Sequence, residues 1–117
     1  MMSDQFSIAI ATAGRPDLLR RTLQSLAACP KPAGYSETVV VENGPRGQVE
    51  AVVTDFRSIL NARYIHTAQA NKSFALNVAL ESMGRGLVFF TDDDVWVESE
   101  TLRAYERAAE ATSSGRF

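Results

Sequence analysis

Phe6-Ser-Ile-Ala-Ile-Ala-Thr12-Ala-Gly14-Arg15-Pro16-Asp17-Leu-Leu19-Arg-Arg-Thr22-Leu23-Gln-Ser-Leu26 is the stretch whose reading decides the fold. Phe6 to Ala11 is a short apolar run of strand length. Pro16 and Asp17 then open a helix: proline suits the first turn, where its missing N–H costs nothing, and an early acid meets the positive end of the helix dipole. Leu19, Leu23 and Leu26 recur at helical spacing and mark one apolar stripe. Pro30, Pro32 and Gly34 end the helix. The stretch is thus a strand, a turn and an amphipathic helix in succession.

The same alternation continues downstream. Thr38 to Val41 is β-branched and apolar on both faces, which suits a strand covered on both sides. Asn43-Gly44-Pro45 breaks it. Val49, Val52, Phe56 and Ile59 return to helical spacing, and Arg63 to His66 reads as a third, shorter strand. Ser73 to Met83 predicts a helix with Leu76, Leu80 and Met83 on one side, stopped by Gly84 and Gly86. Leu87 to Thr91 is a fourth strand. The last helix is expected from Ser99, as its cap, to Ala111, with Leu102 and Tyr105 toward the core. This βαβαβαβα order predicts an α/β fold: a mostly parallel open sheet with helices on both faces and right-handed crossovers. Residues 1–117 read as one domain, with 112–117 as a frayed tail.

Composition agrees with this and excludes several functions. A chain of 117 residues with 45% hydrophobic content can bury one real core. A formal net charge of -2 gives no basic face for nucleic acid. Cys29 is the single cysteine, so no internal disulfide forms. It sits at the end of an apolar helix pattern, far in sequence from the only histidine, His66, and reads as a buried structural thiol. The apolar runs are too short to span a bilayer, and Met-Met-Ser-Asp-Gln has no signal-peptide character, so the chain is read as cytosolic.

In open parallel sheets, ligands bind beyond the carboxyl ends of the strands. Thr12 and Arg15 follow the first strand, Glu42 and Asn43 the second, Asn71-Lys72-Ser73 the third, and Asp92-Asp93-Asp94 the fourth. Three adjacent carboxylates repel one another, by ~1 kcal/mol per close pair in water and more where water is excluded. A divalent cation relieves that, and Mg²⁺ or Mn²⁺ takes oxygen ligands. On extended backbone Asp92 and Asp94 share one side and Asp93 points to the other. Acid runs are most often solvated helix caps; the position on a strand end favours the metal reading here. Glu42 reads equally as a ribose or base contact and as a turn residue. Arg15 suits a phosphate or a base, although an isolated arginine is more often a surface ion pair. Lys72 at a helix start favours an anion; Asn77, one turn on, orients the site or is a buried structural amide. His66 reads as structural or rim-lining. Trp96 either stacks on a ligand or packs in the core. No G-x-G-x-x-G, P-loop, G-x-S-x-G or Cys/His metal spacing occurs.

Five blocks together resemble family 2 glycosyltransferases, in that family's order and over nearly the whole chain. They are Phe6 to Asp17, Thr22 to Leu26, Val39-Val-Val-Glu-Asn-Gly44, Lys72-Ser-Phe-Ala-Leu-Asn77, and Phe89-Phe-Thr-Asp-Asp-Asp-Val95. The resemblance implies a GT-A fold that binds a nucleoside diphosphate sugar, a UDP-sugar in the favoured case, for inverting transfer to an acceptor hydroxyl. It implies nucleotide contacts from Thr12, Arg15, Glu42, Asn43, Lys72, Asn77, Asp92 and Asp93, and Mg²⁺ or Mn²⁺ held by Asp92 and Asp94. The family more often has Asp where Glu42 stands. Its acceptor segment and catalytic base come well after the acidic motif, so no catalytic residue is assigned here. Donor binding with little or no transfer is the expectation, together with self-association through an exposed apolar face. The rival readings are a receiver-like Mg²⁺-binding signalling domain, disfavoured by Thr12-Ala-Gly where acids should follow the first strand, a nucleotidyltransferase, and a non-catalytic nucleotide or metal module.

Overall fold

A computed structural model describes residues 5–83 and 86–113, with side chains up to position 109. Four strands, β1 (Gln5–Thr12), β2 (Tyr35–Asn43), β3 (Ala62–Thr67) and β4 (Gly86–Thr91), form one sheet in the order β3-β2-β1-β4. All three pairings are parallel. The helices are α1 (Pro16–Ala28), α2 (Val49–Asp55), α3 (Arg57–Leu60), α4 (Lys72–Ser82) and α5 (Thr101–Ser113). The predicted α/β class and parallel sheet are therefore what the chain adopts.

Strand alternation assigns the two cores. Ile8, Ile10 and Val40 face one side, where they pack with Leu19, Leu23 and Leu26 of α1, Val49 and Val52 of α2 and Leu102 of α5. Ala9, Ala11, Val39 and Val41 face the other, against Ala75 and Ala79 of α4. The unbroken valine run of β2 is thus apolar on both faces because both are covered. At ~25 cal/mol per Å² of apolar surface, each fully buried leucine of α1 stabilises the fold by roughly 1.5–3 kcal/mol.

Several local expectations shift. The helix carrying Val49, Val52 and Phe56 breaks at Phe56 (φ -108°, ψ 9°), so α3 restarts with a new phase. Leu60 is consequently buried and Ile59 is 59% exposed. On α4 the small Ala75 and Ala79 face the sheet, not the expected leucine stripe; Leu80 is exposed and Leu76 and Met83 are half-buried. Alanines on both partners, Ala9 and Ala11 against Ala75 and Ala79, let this helix sit close to the strands. Helix α4 begins at Lys72, one residue early, because the Asn71 side chain accepts the Phe74 N–H (2.9 Å) and caps it. Helix α5 begins at Thr101, after a turn closed by Thr101 N–H to Glu98 C=O (3.0 Å), so Ser99 is not its cap. It runs to Ser113, two residues into the segment read as a tail; 114–117 lie outside the described residues, as does Gly84. Gly86 opens β4 instead of only closing α4. Tyr105 is partly exposed, yet its ring stands edge-on to Phe89 and Phe6, with centroids 5.0 and 6.1 Å apart.

The topology places the site. The chain builds β1, β2 and β3 outward in one direction, then returns to lay β4 on the other side of β1. Helix α1, which leaves β1, and helix α4, which leads into β4, cover opposite faces of the sheet, and a crevice opens beyond the carboxyl ends of the two strands.

Candidate functional site

The crevice at the reversal is where the polar groups meet. Thr12, Arg15, Asn43, Lys72, Asp92 and Asp93 all line one cleft of about 150 Å³. Complete small-molecule sites usually measure ~300–1,000 Å³, so this cleft is small beside them.

Asp93 organises it. Its side chain is only 1% exposed. Thr12 Oγ1 donates to Oδ2 (2.7 Å), and Arg15 donates through Nε to Oδ2 (3.2 Å) and through Nη2 to Oδ1 (2.6 Å). One carboxylate thereby ties the loop after β4 to the loop after β1. Gly14 (φ +65°) makes the turn that brings Arg15 round, a left-handed conformation that costs glycine little. The other two acids are exposed. Asp92 is ion-paired with Lys72, the first residue of α4, and Asp94 Oδ2 lies 3.8 Å from Arg15 Nη1. The run is a turn beyond β4 and not the extended backbone expected; in it Asp92 and Asp94 are exposed and Asp93 is buried.

The second strand delivers two different groups. Glu42 is fully buried. It accepts hydrogen bonds from the Tyr64 hydroxyl at Oε1 (2.6 Å) and from the Gly47 N–H at Oε2 (2.8 Å). Burial, and then the bond to Glu42, push the Tyr64 phenol up to about 12. The carboxylate is accordingly occupied on the α1–α2 side of the sheet and does not line the cleft. Asn43, one residue on, points to the opposite side and does line it. Asn77 is exposed on α4 and lies outside the lining.

The remaining candidates are now placed. His66 Nε2 lies 2.8 Å from the Gly44 carbonyl, a structural contact beneath the β2 turn. Trp96 is 56% exposed, which removes the core-packing reading. Cys29 is buried, its Sγ 3.2 Å from the Ser25 carbonyl; burial raises its pKa, so it is no thiolate nucleophile.

Sequence reasoning missed Thr22 and Ser25. Both are buried on α1, at 0% and 1% exposure. Thr22 Oγ1 donates to the Val95 carbonyl (2.8 Å) and accepts the Val95 N–H (3.1 Å); Ser25 Oγ accepts the Val97 N–H (2.9 Å). They hold the segment that follows the acidic run and so fix where Asp92 to Asp94 emerge. The available signal was two hydroxyls three residues apart, flanking Leu23 and Leu26 on the apolar face. Among the described residues no set of three or more His, Cys, Asp or Glu side chains surrounds a metal position, and no helix is long and apolar enough to cross a membrane.

Comparison with known proteins gives a consistent result. The model for "Glycosyl transferase family 2" matches residues 7–114. A curated relative, the poly(ribitol-phosphate) beta-N-acetylglucosaminyltransferase TarS of Staphylococcus aureus, is 29% identical over 101 residues, 85% of this chain and 18% of TarS. The chain therefore spans about a fifth of that relative's length. The crystal structure of S. aureus TarS 1-349 in complex with UDP-GlcNAc superposes with a TM-score of 0.82 at 25% identity, over 93% of this chain and 32% of that one. The mannosyltransferase PcManGT from Pyrobaculum calidifontis, solved with GDP-Man and Mn2+, shares the fold: TM-score 0.74, 21% identity, 87% of this chain and 31% of that one.

Proposed function

The chain belongs to glycosyl transferase family 2, and on that premise we propose that its cleft binds a nucleoside diphosphate sugar, a UDP-sugar in the favoured case, as the donor side of an inverting transfer to an acceptor hydroxyl. One observation carries this reading: groups from four separate segments, Thr12 and Arg15, Asn43, Lys72, and Asp92 with Asp93, converge on a single cleft at the strand reversal. Their types match the ligand. Arg15 and Lys72 offer cations to a diphosphate. Asp93, itself held by Thr12, fixes the Arg15 fork in place, so little side-chain entropy is lost when phosphate arrives. TarS, a structural relative, has been solved with UDP-GlcNAc and with UDP, which supports the uridine preference.

Asp92 and Asp94 suit Mg²⁺ or Mn²⁺. Both are hard oxygen donors with half-exposed side chains, and each keeps one oxygen outside its ion pair. When bound, such an ion neutralises charge developing on the leaving diphosphate. Among the described residues, Asp92 and Asp93 are the carboxylates that line the cleft, and both are ion-paired. Glu98, Glu100 and Glu106 lie before or on α5 and line no part of it. We therefore assign these 117 residues donor binding with little or no turnover of their own. Calorimetric titration with UDP, with and without Mn²⁺, tests the reading. Asp94→Ala is expected to weaken metal-dependent binding about ten-fold, the effect of losing one charged ligand. Wild-type protein that binds no nucleoside diphosphate under any of these conditions overturns it.

Self-association belongs to the same proposal. Phe74 and Leu80 on α4 are each 42% exposed, and Phe90 is 44% exposed. Phe90 alternates with the core-facing Phe89, so it lies on the α4 side of the sheet. Sedimentation velocity at rising concentration is expected to show mass above the monomer; a clean monomer throughout sinks this part.

A further inference from the structure

We propose that Thr22 is a positioning residue for Asp94: its hydroxyl clamps the backbone just beyond the acidic turn and so sets where that carboxylate meets a divalent cation. This rests on the nucleoside diphosphate and Mg²⁺ or Mn²⁺ reading above and deepens it.

The first support is a pair of anchors on one helix. Residues 93–94 form a turn and residues 95–98 belong to no strand, so no ladder of the sheet fixes the chain there. Helix α1 fixes it instead. Before Asp94, the Asp93 carboxylate is held by Arg15 at the N-cap of α1 (Nη2 to Oδ1, 2.6 Å) and by the Thr12 hydroxyl (2.7 Å). After Asp94, Thr22 Oγ1 donates to the Val95 carbonyl (2.8 Å) and accepts the Val95 N–H (3.1 Å). Asp94 is the single residue between these anchors. Each neighbouring Cα lies only ~3.8 Å away, so its backbone has little freedom. Its side chain, in contrast, is 46% exposed, with Oδ2 3.8 Å from Arg15 Nη1. An exposed carboxylate on a fixed backbone suits a cation ligand: the geometry is set beforehand, and the ion can still reach it.

The second support is what the Thr22 hydroxyl does. Thr22 is fully buried, on the face of α1 that carries Leu19, Leu23 and Leu26. A threonine inside a helix commonly turns its hydroxyl back to a carbonyl one turn earlier. Here both bonds of the hydroxyl go to Val95, so it serves the segment and not the helix. Ser25, a turn later, does bond back, to the Thr22 carbonyl (2.7 Å), while accepting the Val97 N–H (2.9 Å). Cys29 Sγ meets the Glu98 carbonyl at 3.3 Å. Three side chains of α1 thus take the place of a neighbouring strand, and of the three only Thr22 grips the residue that adjoins the acids.

The test is calorimetric titration of the full chain and its variants with UDP, with and without Mn²⁺. The quantity read is the gain in UDP affinity that Mn²⁺ confers. It compares two affinities of one variant, so a general loosening that weakens both alike cancels. Thr22→Val is expected to cut the gain roughly ten-fold, the low end of the loss when a group supporting a metal ligand is removed. Thr22→Ser restores both hydrogen bonds and is expected to return the gain to the wild-type value. Ser25→Ala leaves the Val97 N–H unpaired; it is expected to lower the melting temperature about as much as Thr22→Val, by roughly 4–8 °C, and yet to keep the gain. Thr22→Ala, which puts no methyl against the Val95 carbonyl, is expected to match Thr22→Val and decides the matter where the valine variant does not fold. A full gain in folded Thr22→Val or Thr22→Ala, or an equal loss in Ser25→Ala, overturns the positioning role and leaves the metal site standing. Wild type that binds UDP with no gain from Mn²⁺ overturns the metal reading, and this assignment with it; wild type that binds no nucleoside diphosphate overturns the nucleotide site as well.

Discussion

Asp93→Ala is expected to cost about 3 kcal/mol of stability, among the largest effects of any single change outside the apolar core. The carboxylate is 1% exposed and accepts three hydrogen bonds, one from Thr12 and two from Arg15. Hydrogen bonds to a charged group each contribute roughly 1.5–3 kcal/mol. The sum must be discounted, because the Arg15 side chain is 50% exposed and its charge returns to water when the partner is lost. The Thr12 hydroxyl has no such outlet: at 2% exposure it is left unsatisfied. With an unfolding entropy of ~2.1 cal/mol/K per residue, a loss of this size lowers the melting temperature of a chain this long by about 12 °C. Asp93→Asn keeps one acceptor and gives up the charge, so it should fall roughly midway. UDP affinity should drop alongside, since Arg15 is no longer held. Thermal unfolding followed by circular dichroism decides the matter; a shift below about 3 °C for the alanine variant means that Asp93 does not hold the two loops together.

Glu42→Ala is expected to destabilise by about 2–3 kcal/mol, through a different route. Removing a buried carboxylate also removes the cost of desolvating it, which offsets part of the loss. Against that, the Tyr64 hydroxyl and the Gly47 N–H lose an acceptor and a cavity opens behind β2. Glu42→Gln separates these contributions: its amide oxygen can take the Gly47 N–H while its NH₂ donates to the Tyr64 oxygen, so about 1 kcal/mol is expected. The alkaline limb gives an independent readout. Tyr64 is raised from its ordinary 10 to about 12, by burial first and by Glu42 second. A raised folded-state pKa contributes stability that is complete below pH 10 and is lost as the pH climbs toward 12. Without Glu42 the phenol titrates lower and this alkaline loss shrinks. Tyrosinate absorbance, with Tyr64→Phe identifying the phenol concerned, measures the change; an unchanged titration in Glu42→Ala means the bond to Tyr64 carries no weight.

The two acids show how differently the chain's features announced themselves. Asp93 belongs to a run that stands out in the sequence; β4 ends at Thr91, so the turn that follows it, and not strand alternation, buries Asp93 and exposes Asp92 and Asp94. That its inward direction leads to Thr12 and Arg15, 81 and 78 positions away, is a fact of the strand order. Glu42 had the reverse history. Its position after a valine strand placed it among ligand contacts, yet Tyr64 and the turn at Gly47 engage it on the other face.

The sequence by itself determined the alternation of strands and helices, the parallel sheet, the family, and the rim on which polar groups collect. These follow from short-range patterns: periods of two and of 3.6 residues, prolines and glycines at fixed offsets, and which residue types follow each strand. Only the tertiary structure decided which of those polar groups share a cleft, and which are held by others. It set Asn43 toward the cleft and Glu42 away. It faced α4 to the sheet with alanines where a leucine stripe was expected, and recruited Thr22 and Ser25 to hold the segment after the acids. Those outcomes depend on the close approach of segments distant in the chain, and on the cost of leaving a buried polar group unpaired, which no local pattern encodes.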